Sequence, residues 1–148
     1  ALAFNNDAEN IAFTQNIKLS ANAYADANNN KLIFVLNAFN NFLFFLKRYR
    51  SRENAFEISR GYYDHDEIDI LVPDNYRVEA VPENNSIKNK FGEYSFEIIS
   101  QGKNSFTYKR ILFIKEGFYE STDYDEYRLF KEQIVRNDNA KIILNKKS

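Results

Sequence analysis

The sequence predicts a mainly β fold, an antiparallel β-sandwich of jelly-roll or Greek-key type with one C-terminal α-helix. Three observations lead there. Turn-forming residues recur at near-regular intervals from Phe56 onward, the intervals alternate apolar with polar side chains, and a helical period appears in a single stretch near the C-terminus. No strand-helix-strand alternation argues for a parallel sheet.

Near the start, Ile11, Phe13, Ile17 and Leu19 alternate with Ala12, Thr14, Asn16 and Lys18, which predicts a half-buried strand. Asp26-Ala27-Asn28-Asn29-Asn30 supplies side chains that tolerate left-handed turn geometry. Leu32 to Leu36 then reads as a strand buried on both faces, and the two strands are expected to form an opening hairpin. Residues 37 to 54 mix Phe39, Phe42, Phe44 and Phe45 with asparagines and then with Lys47, Arg48, Arg50 and Arg52. They are expected to form a long, partly buried connection.

Turns follow at Gly61, Pro73-Asp74-Asn75, Pro82 to Asn85, Gln101 to Asn104 and Glu116-Gly117. The intervals carry Ile68, Ile70 and Val72; Tyr76 and Val78; Tyr94, Phe96 and Ile98; and Phe106, Tyr108, Leu112 and Ile114, all in strand-like alternation. The helix is expected over about 123 to 136, with Thr122 and Asp125 at capping-box spacing and acidic residues complementing the dipole. Its stripe is Tyr124, Tyr127, Phe130, Ile134 and Val135, with Asp125, Arg128, Glu132 and Arg136 elsewhere on the wheel. Lys141 to Leu144 predicts a last strand. Residues 1–148 read as one domain, with fraying expected over the first ten residues and at Lys146-Lys147-Ser148.

Composition limits the function classes. A chain of 148 residues can bury roughly 70% of its unfolded surface, so it needs no covalent staple. The absence of cysteine removes disulfides, zinc ribbons, thiolate nucleophiles and redox motifs. Twenty basic residues against twenty-one acidic ones, interspersed, give no field that would draw in nucleic acid. Leu32 to Leu46 is too short for a membrane span, which takes about 20 apolar residues, and Asn37, Asn40 and Asn41 interrupt it. The start Ala1 to Asn6 carries no basic region followed by an apolar stretch, so no targeting peptide is expected in it. The lack of methionine fits a fragment of a longer multidomain protein.

The residues that carry chemistry are sparse. His65 is the one histidine and sits in Asp64-His65-Asp66-Glu67, but neighbouring strand residues point to opposite faces and cannot converge on one ion. No nucleophile signature accompanies it, no phosphate-binding glycine loop occurs, and the calcium-loop pattern is missing. No catalytic, cofactor-binding or metal-ligating residue is therefore assigned, and no enzyme activity or cofactor is expected of this chain. Two surface readings remain. Tyr62, Tyr63, Tyr94, Tyr119 and Tyr124 could stack sugar rings if several faced one surface. The basic run Lys47 to Arg52, beside Phe42, Phe44 and Phe45, suits contact with a neighbouring domain.

From about Phe56 to Leu144 the chain resembles the C-terminal domain of unknown function that follows the transglutaminase-like core in exported proteins of Gram-negative bacteria. The resemblance rests on the order of Phe56-Glu57-Ile58, Asp66-Glu67-Ile68, Val72-Pro73, Tyr76-Arg77-Val78-Glu79, Pro82 and Phe91-Gly92-Glu93-Tyr94. It continues through Lys109-Arg110-Ile111-Leu112, Tyr124, Tyr127-Arg128, Phe130 and Ala140 to Leu144. It implies β architecture, export to or beyond the periplasm, and a non-catalytic accessory role beside a papain-like core whose cysteine has no counterpart here. The expected partners are neighbouring domains of the same polypeptide, contacted through Phe42, Phe44, Phe45, Arg48, Arg50 and Arg52. The alternative is a carbohydrate- or peptide-binding module that uses exposed tyrosines.

Overall fold

The computed structural model describes residues 3–7, 12–18, 20–41 and 44–147, with side chains placed from residue 15 onward. The strands are β1 (Ala3–Asp7), β2 (Ala12–Asn16), β3 (Asp26–Asn28), β4 (Lys31–Val35), β5 (Phe56–Ile58), β6 (Tyr62–Leu71), β7 (Tyr76–Ala80), β8 (Asn85–Asn89), β9 (Gly92–Ser100), β10 (Ser105–Ile114), β11 (Gly117–Tyr119) and β12 (Lys141–Lys146). A single 3-10 turn at Ser121–Asp123 leads into helix α1 (Tyr124–Asp138), which precedes β12. Every described pairing is antiparallel.

Two four-stranded sheets form the sandwich, one in the order β6-β10-β9-β8 and the other in the order β3-β4-β12-β7. In the first, β8, β9 and β10 follow as hairpins and β6 lies beside β10, the Greek-key order read from the C-terminal end. The β6-to-β8 connection makes the crossing, because β7 within it belongs to the other sheet. One core joins both sheets with the helix: Tyr94, Phe96, Tyr108 and Leu112 from the first, Ile142 and Leu144 from the second, Phe130 and Ile134 from α1. The predicted mainly β fold with one C-terminal helix is the fold observed.

Alternation explains the inner faces. Along β6 the even-numbered residues are half-buried and the odd-numbered ones exposed, as a period of two requires. On β10 the same parity buries Phe106, Tyr108, Arg110, Leu112 and Ile114. Gly92 opens β9 with φ +149°, and a Cβ there would fall 1.9 Å from the Phe113 carbonyl oxygen, so only glycine lets β9 and β10 approach this closely.

Several sequence expectations are corrected at the N-terminal end. The strand around Phe13 pairs with β1, with Ala3 opposite Asn16, and not with β4. The first ten residues are therefore not simply frayed, since Ala3–Asp7 is paired strand. The expected five-residue turn is shorter, because Asp26–Asn28 pairs with β4 and leaves Asn29, at φ +53°, as the left-handed residue. Strand β4 is half-buried throughout rather than fully buried. Residues 36 to 55 hold no strand or helix where described, in keeping with a connection. Strand β8 was not anticipated. Its turn is held by the Asn89 side chain, which accepts from the Phe91 N–H at 3.0 Å.

The helix begins and ends close to expectation, but its first turn has no side-chain cap, so the Thr122/Asp125 capping box is not used. Lys90 from the β8–β9 turn instead meets Asp123 and Glu126 at 2.6 and 3.2 Å. The buried face of α1 is Phe130, Lys131, Ile134, Val135 and Asp138, so two charges lie on the apolar stripe. Asp138 explains itself by its partners: Arg110 donates to it from Nε at 2.8 Å and from a terminal nitrogen at 3.0 Å, and the Tyr94 hydroxyl donates at 2.9 Å. The other terminal nitrogen of Arg110 donates to Asp66 at 2.8 Å.

This guanidinium, fully buried, ties β10, β6 and α1 together. Removing one partner strands a charge in the core, at a cost of about 3–5 kcal/mol. Asp138→Ala is thus expected to lower the urea midpoint sharply. The double change Arg110→Met with Asp138→Leu, which removes the stranded charge, is expected to lose less than Asp138→Ala alone.

Candidate functional site

The basic and aromatic segment divides into two parts. Its distal part is fastened to the start of α1: the Tyr124 hydroxyl donates to the Lys47 carbonyl at 2.9 Å, and the Tyr49 and Tyr124 rings lie 5.7 Å apart. Arg52 places its guanidinium 4.4 Å from the Tyr124 ring centroid and 5.6 Å from that of Phe56, while its Nε donates to the Asn54 carbonyl at 3.0 Å. Such cation–π contacts contribute about 0.5–2 kcal/mol each, depending on desolvation. Arg52 is therefore committed to this domain's own aromatic cluster. Beneath it Phe56 stacks on Tyr119 at 5.4 Å and on Tyr127 at 5.3 Å.

The proximal part points outward. Phe44 is 84% exposed and Phe45 61%, and Arg48 and Arg50 are exposed beyond them. Phe42 lies outside the described residues. The structure thus presents two adjacent aromatic rings and two arginines on an irregular strap whose far end is anchored. Isolated exposed apolar residues are ordinary, but neighbouring ones that an anchored strap holds away from the core form a patch.

The tyrosines do not form one platform. Tyr94 is fully buried, Tyr62, Tyr119 and Tyr124 are half-buried, and Tyr63 stands 60% exposed on the opposite face of β6 from Tyr62. Burial pushes the Tyr62 hydroxyl up to about 12, helped by the nearby Asp64 charge. The condition for a sugar-stacking platform, several rings facing one surface, is not met by these five tyrosines.

His65 lies on the outer face of the β6-β10-β9-β8 sheet, over an open depression of about 330 Å³ that Asn84, Ser86, Ser95, Glu97, Lys109 and Ile111 help to line. Ile111 is opposite both His65 and Ser95 in the two ladders, so the histidine and the serine are two strands apart. Two strand spacings amount to roughly 9–10 Å, beyond the reach of a hydrogen-bonded dyad. Asp64 and Asp66 face inward while His65 and Glu67 face outward, so the acidic run around the histidine does not converge. Among the described residues, no cluster of histidine and carboxylates is placed to hold a metal ion.

Sequence reasoning passed over the buried charges. Burial works against the Arg110 cation, but Asp138 and Asp66 outweigh it and raise its pKa. Burial pushes the Tyr94 and Tyr108 hydroxyls up, and the Asp138 charge adds to both shifts. Burial also lowers Lys131 to about 8, against the opposing pull of Asp138. The detectable signal was positional, since Arg110 shares parity with Tyr108 and Leu112, and Lys131 and Asp138 follow Tyr127 at i+4 and i+11. Neither the outer-face depression nor a groove of about 440 Å³ beside β6, lined by Tyr24, Phe34, Phe39, Ile68 and Ile70 among others, reaches this cluster, which serves as a strut.

A family model described as a domain of unknown function with solved structure, DUF3858, matches residues 30–144. The chain belongs to this family. The matched span opens just before β4 and closes in β12. Among solved structures, the chain is similar to a protein named "putative protease" from Parabacteroides distasonis, with a TM-score of 0.57 and 16% identity. The match covers 80% of this chain and 24% of that one, so the chain spans about a quarter of that protein's length. At this identity the likeness is one of fold. No curated protein matches the sequence. Among the described residues no helix is long and apolar enough to cross a membrane.

Lys131 supplies a pH test. Its folded pKa is lowered, so between about pH 8 and the ordinary lysine value the unfolded chain binds more protons, and stability rises with pH. Below pH 8 both states are protonated and the full cost of burying the ammonium is present. Lys131→Met removes that cost. Its stability advantage over the native chain is expected to shrink by about 1–2 kcal/mol between pH 8 and pH 10 in urea titrations.

Proposed function

We propose that this domain is a non-catalytic accessory module, packed beside a papain-like, transglutaminase-like catalytic domain of the same polypeptide in a periplasmic or exported protein. The observation that carries the reading is the anchored strap: Phe44 and Phe45 are exposed together, beside Arg48 and Arg50, on a segment whose far end is fastened to the start of α1. Contacts between domains of one chain mix apolar and charged groups in this way. Two further points support it. A protein named for protease activity contains a similar fold over 24% of its length, and the present chain has no cysteine with which to perform papain-like chemistry itself. The interdomain contact is assigned to Phe44, Phe45, Arg48 and Arg50, with Arg52 holding the strap in place.

A glycan-binding reading loses its basis with the scattered tyrosines. The accessory reading is tested in the polypeptide encoded by the full reading frame, which should contain a cysteine- and histidine-bearing domain. Residues 44 to 50 are expected to exchange amide hydrogens more slowly there than in the isolated domain, and Phe44→Ser with Phe45→Ser is expected to abolish the difference. Equal exchange in both forms would exclude the strap as the contact. Turnover of a peptide, ester or glycoside by the isolated domain would overturn the non-catalytic assignment.

A further inference from the structure

Residues 44–55, which run up to β5, form neither strand nor helix, and all but Leu46 and Arg52 are exposed. Among the described residues, no backbone–backbone hydrogen bond involves this stretch. Arg48 and Arg50 lie within it, exposed and joined to no described carboxylate. Other exposed basic residues are placed differently. Arg60 occupies the short link between β5 and β6. Lys103 sits in a turn that the Gln101 N–H closes by donating to the Ser105 carbonyl at 2.9 Å, and the Lys115 N–H donates to the Phe91 carbonyl at 2.8 Å. An endopeptidase takes its substrate as an extended segment several residues long, so a short turn between paired strands is cut only after the sheet opens, whereas an irregular exposed segment is cut first.

The stretch is nevertheless fastened. Tyr49 and Arg52 both pack on the Tyr124 ring, at 5.7 and 4.4 Å, and the Tyr124 hydroxyl holds the Lys47 carbonyl at 2.9 Å. The Arg48–Tyr49 and Arg50–Ser51 peptide bonds therefore lie between residues that meet one ring. A protease cleft must enclose the chain on both sides of the bond it cuts, so Tyr49 and its neighbours have to leave Tyr124 before either bond is seated.

We propose that the strap is a gated processing site, hydrolysed after Arg48 or Arg50 by an endopeptidase whose acidic specificity pocket selects arginine and lysine, once the clasp on Tyr124 opens. Water adds across the amide, leaving an arginine carboxylate and a new amino terminus at Tyr49 or Ser51. The nick leaves the module assembled. Strand β4, on one side of the cut, pairs with β12 on the other, with Lys31 opposite Asn145 and Val35 opposite Lys141. Leu36 and Asn37 are buried beyond it, and the Asn40 amide donates to Asp66 at 3.2 Å. The product is a two-chain domain in which the Phe44 and Phe45 end of the strap is no longer joined to Arg52. The site stands on the geometry of this chain alone. A strap docked on a neighbouring domain is shielded, so the cut is tested on the isolated chain, and its failure leaves the hydrogen-exchange test of the accessory reading untouched.

The chain is digested with dilute trypsin under native conditions and sampled over time by denaturing and native mass spectrometry. The cut after Arg48 or Arg50 is expected at least about tenfold faster than any at Arg60, Lys103 or Lys115, with both fragments retained in one particle. Tyr124→Phe keeps the ring and removes the hydroxyl that holds Lys47; it is expected to speed the cut about fivefold without changing the thermal midpoint. A first cut elsewhere between β4 and β12, or fragments that separate in the native spectrum, would overturn the processing site. An unchanged rate in Tyr124→Phe would overturn the gate.

Discussion

The Arg110 guanidinium, shared between Asp66 and Asp138, fixes more of this structure than any apolar contact does. A buried ion pair adds little net stability over an apolar replacement, because desolvation offsets most of the attraction. What it does is penalise alternatives. Asp66 lies directly opposite Arg110 in the β6–β10 ladder, and a one-residue slip would turn the carboxylate to the outer face and leave the cation unpaired. The same cation fixes the rotation of α1 about its axis, since Asp138 must face the sheet. Apolar packing alone would tolerate neighbouring solutions.

That constraint is transmitted to the surface. With α1 held by its last turn, Tyr124 and Tyr127 at its first turn are presented to Phe56, Phe91 and Tyr119, and the rings close one end of the sandwich. Arg52 and Tyr49 then lie on Tyr124, so the far end of the strap that carries Phe44 and Phe45 is held at the start of the helix. The groove beside β6 has a different origin, in a sheet order that leaves the longest acidic strand at an edge.

The elements with strong alternation were legible in the sequence. Ile68 and Ile70 in β6, Tyr94, Phe96 and Ile98 in β9, and Phe106, Tyr108, Leu112 and Ile114 in β10 alternate with other residues, and the turns between strands from Gly61 onward fell where glycine, proline and asparagine sit. Strand β8 was not legible, because Ile87 is its sole apolar residue and its pairing is decided by the neighbouring β9. The partner of β4 was equally hidden. Sequence proximity favoured the strand around Phe13, whereas β4 pairs with β3 and with β12, more than a hundred residues away. The strap was recognisable as an aromatic and basic run with no period, but the β6 groove follows from sheet order, which turn spacing does not encode. Arg110, Lys131 and Asp138 were passed over because charged residues on an apolar face look like exceptions until their partners are seen.

Strand β12 lies between β4 and β7, in the interior of its sheet, although it is the last element described. Both neighbours are synthesised long before it. On a ribosome, β4 and β7 therefore wait with their facing edges unpaired until residue 146 has left the exit tunnel, and the helix carrying Asp138 arrives only just earlier. The β6-β10-β9-β8 sheet can assemble first; the other sheet cannot. Nascent chains stalled before Lys141 should consequently depend on chaperone shelter, and the biosynthetic window of vulnerability is set by the position of one short strand.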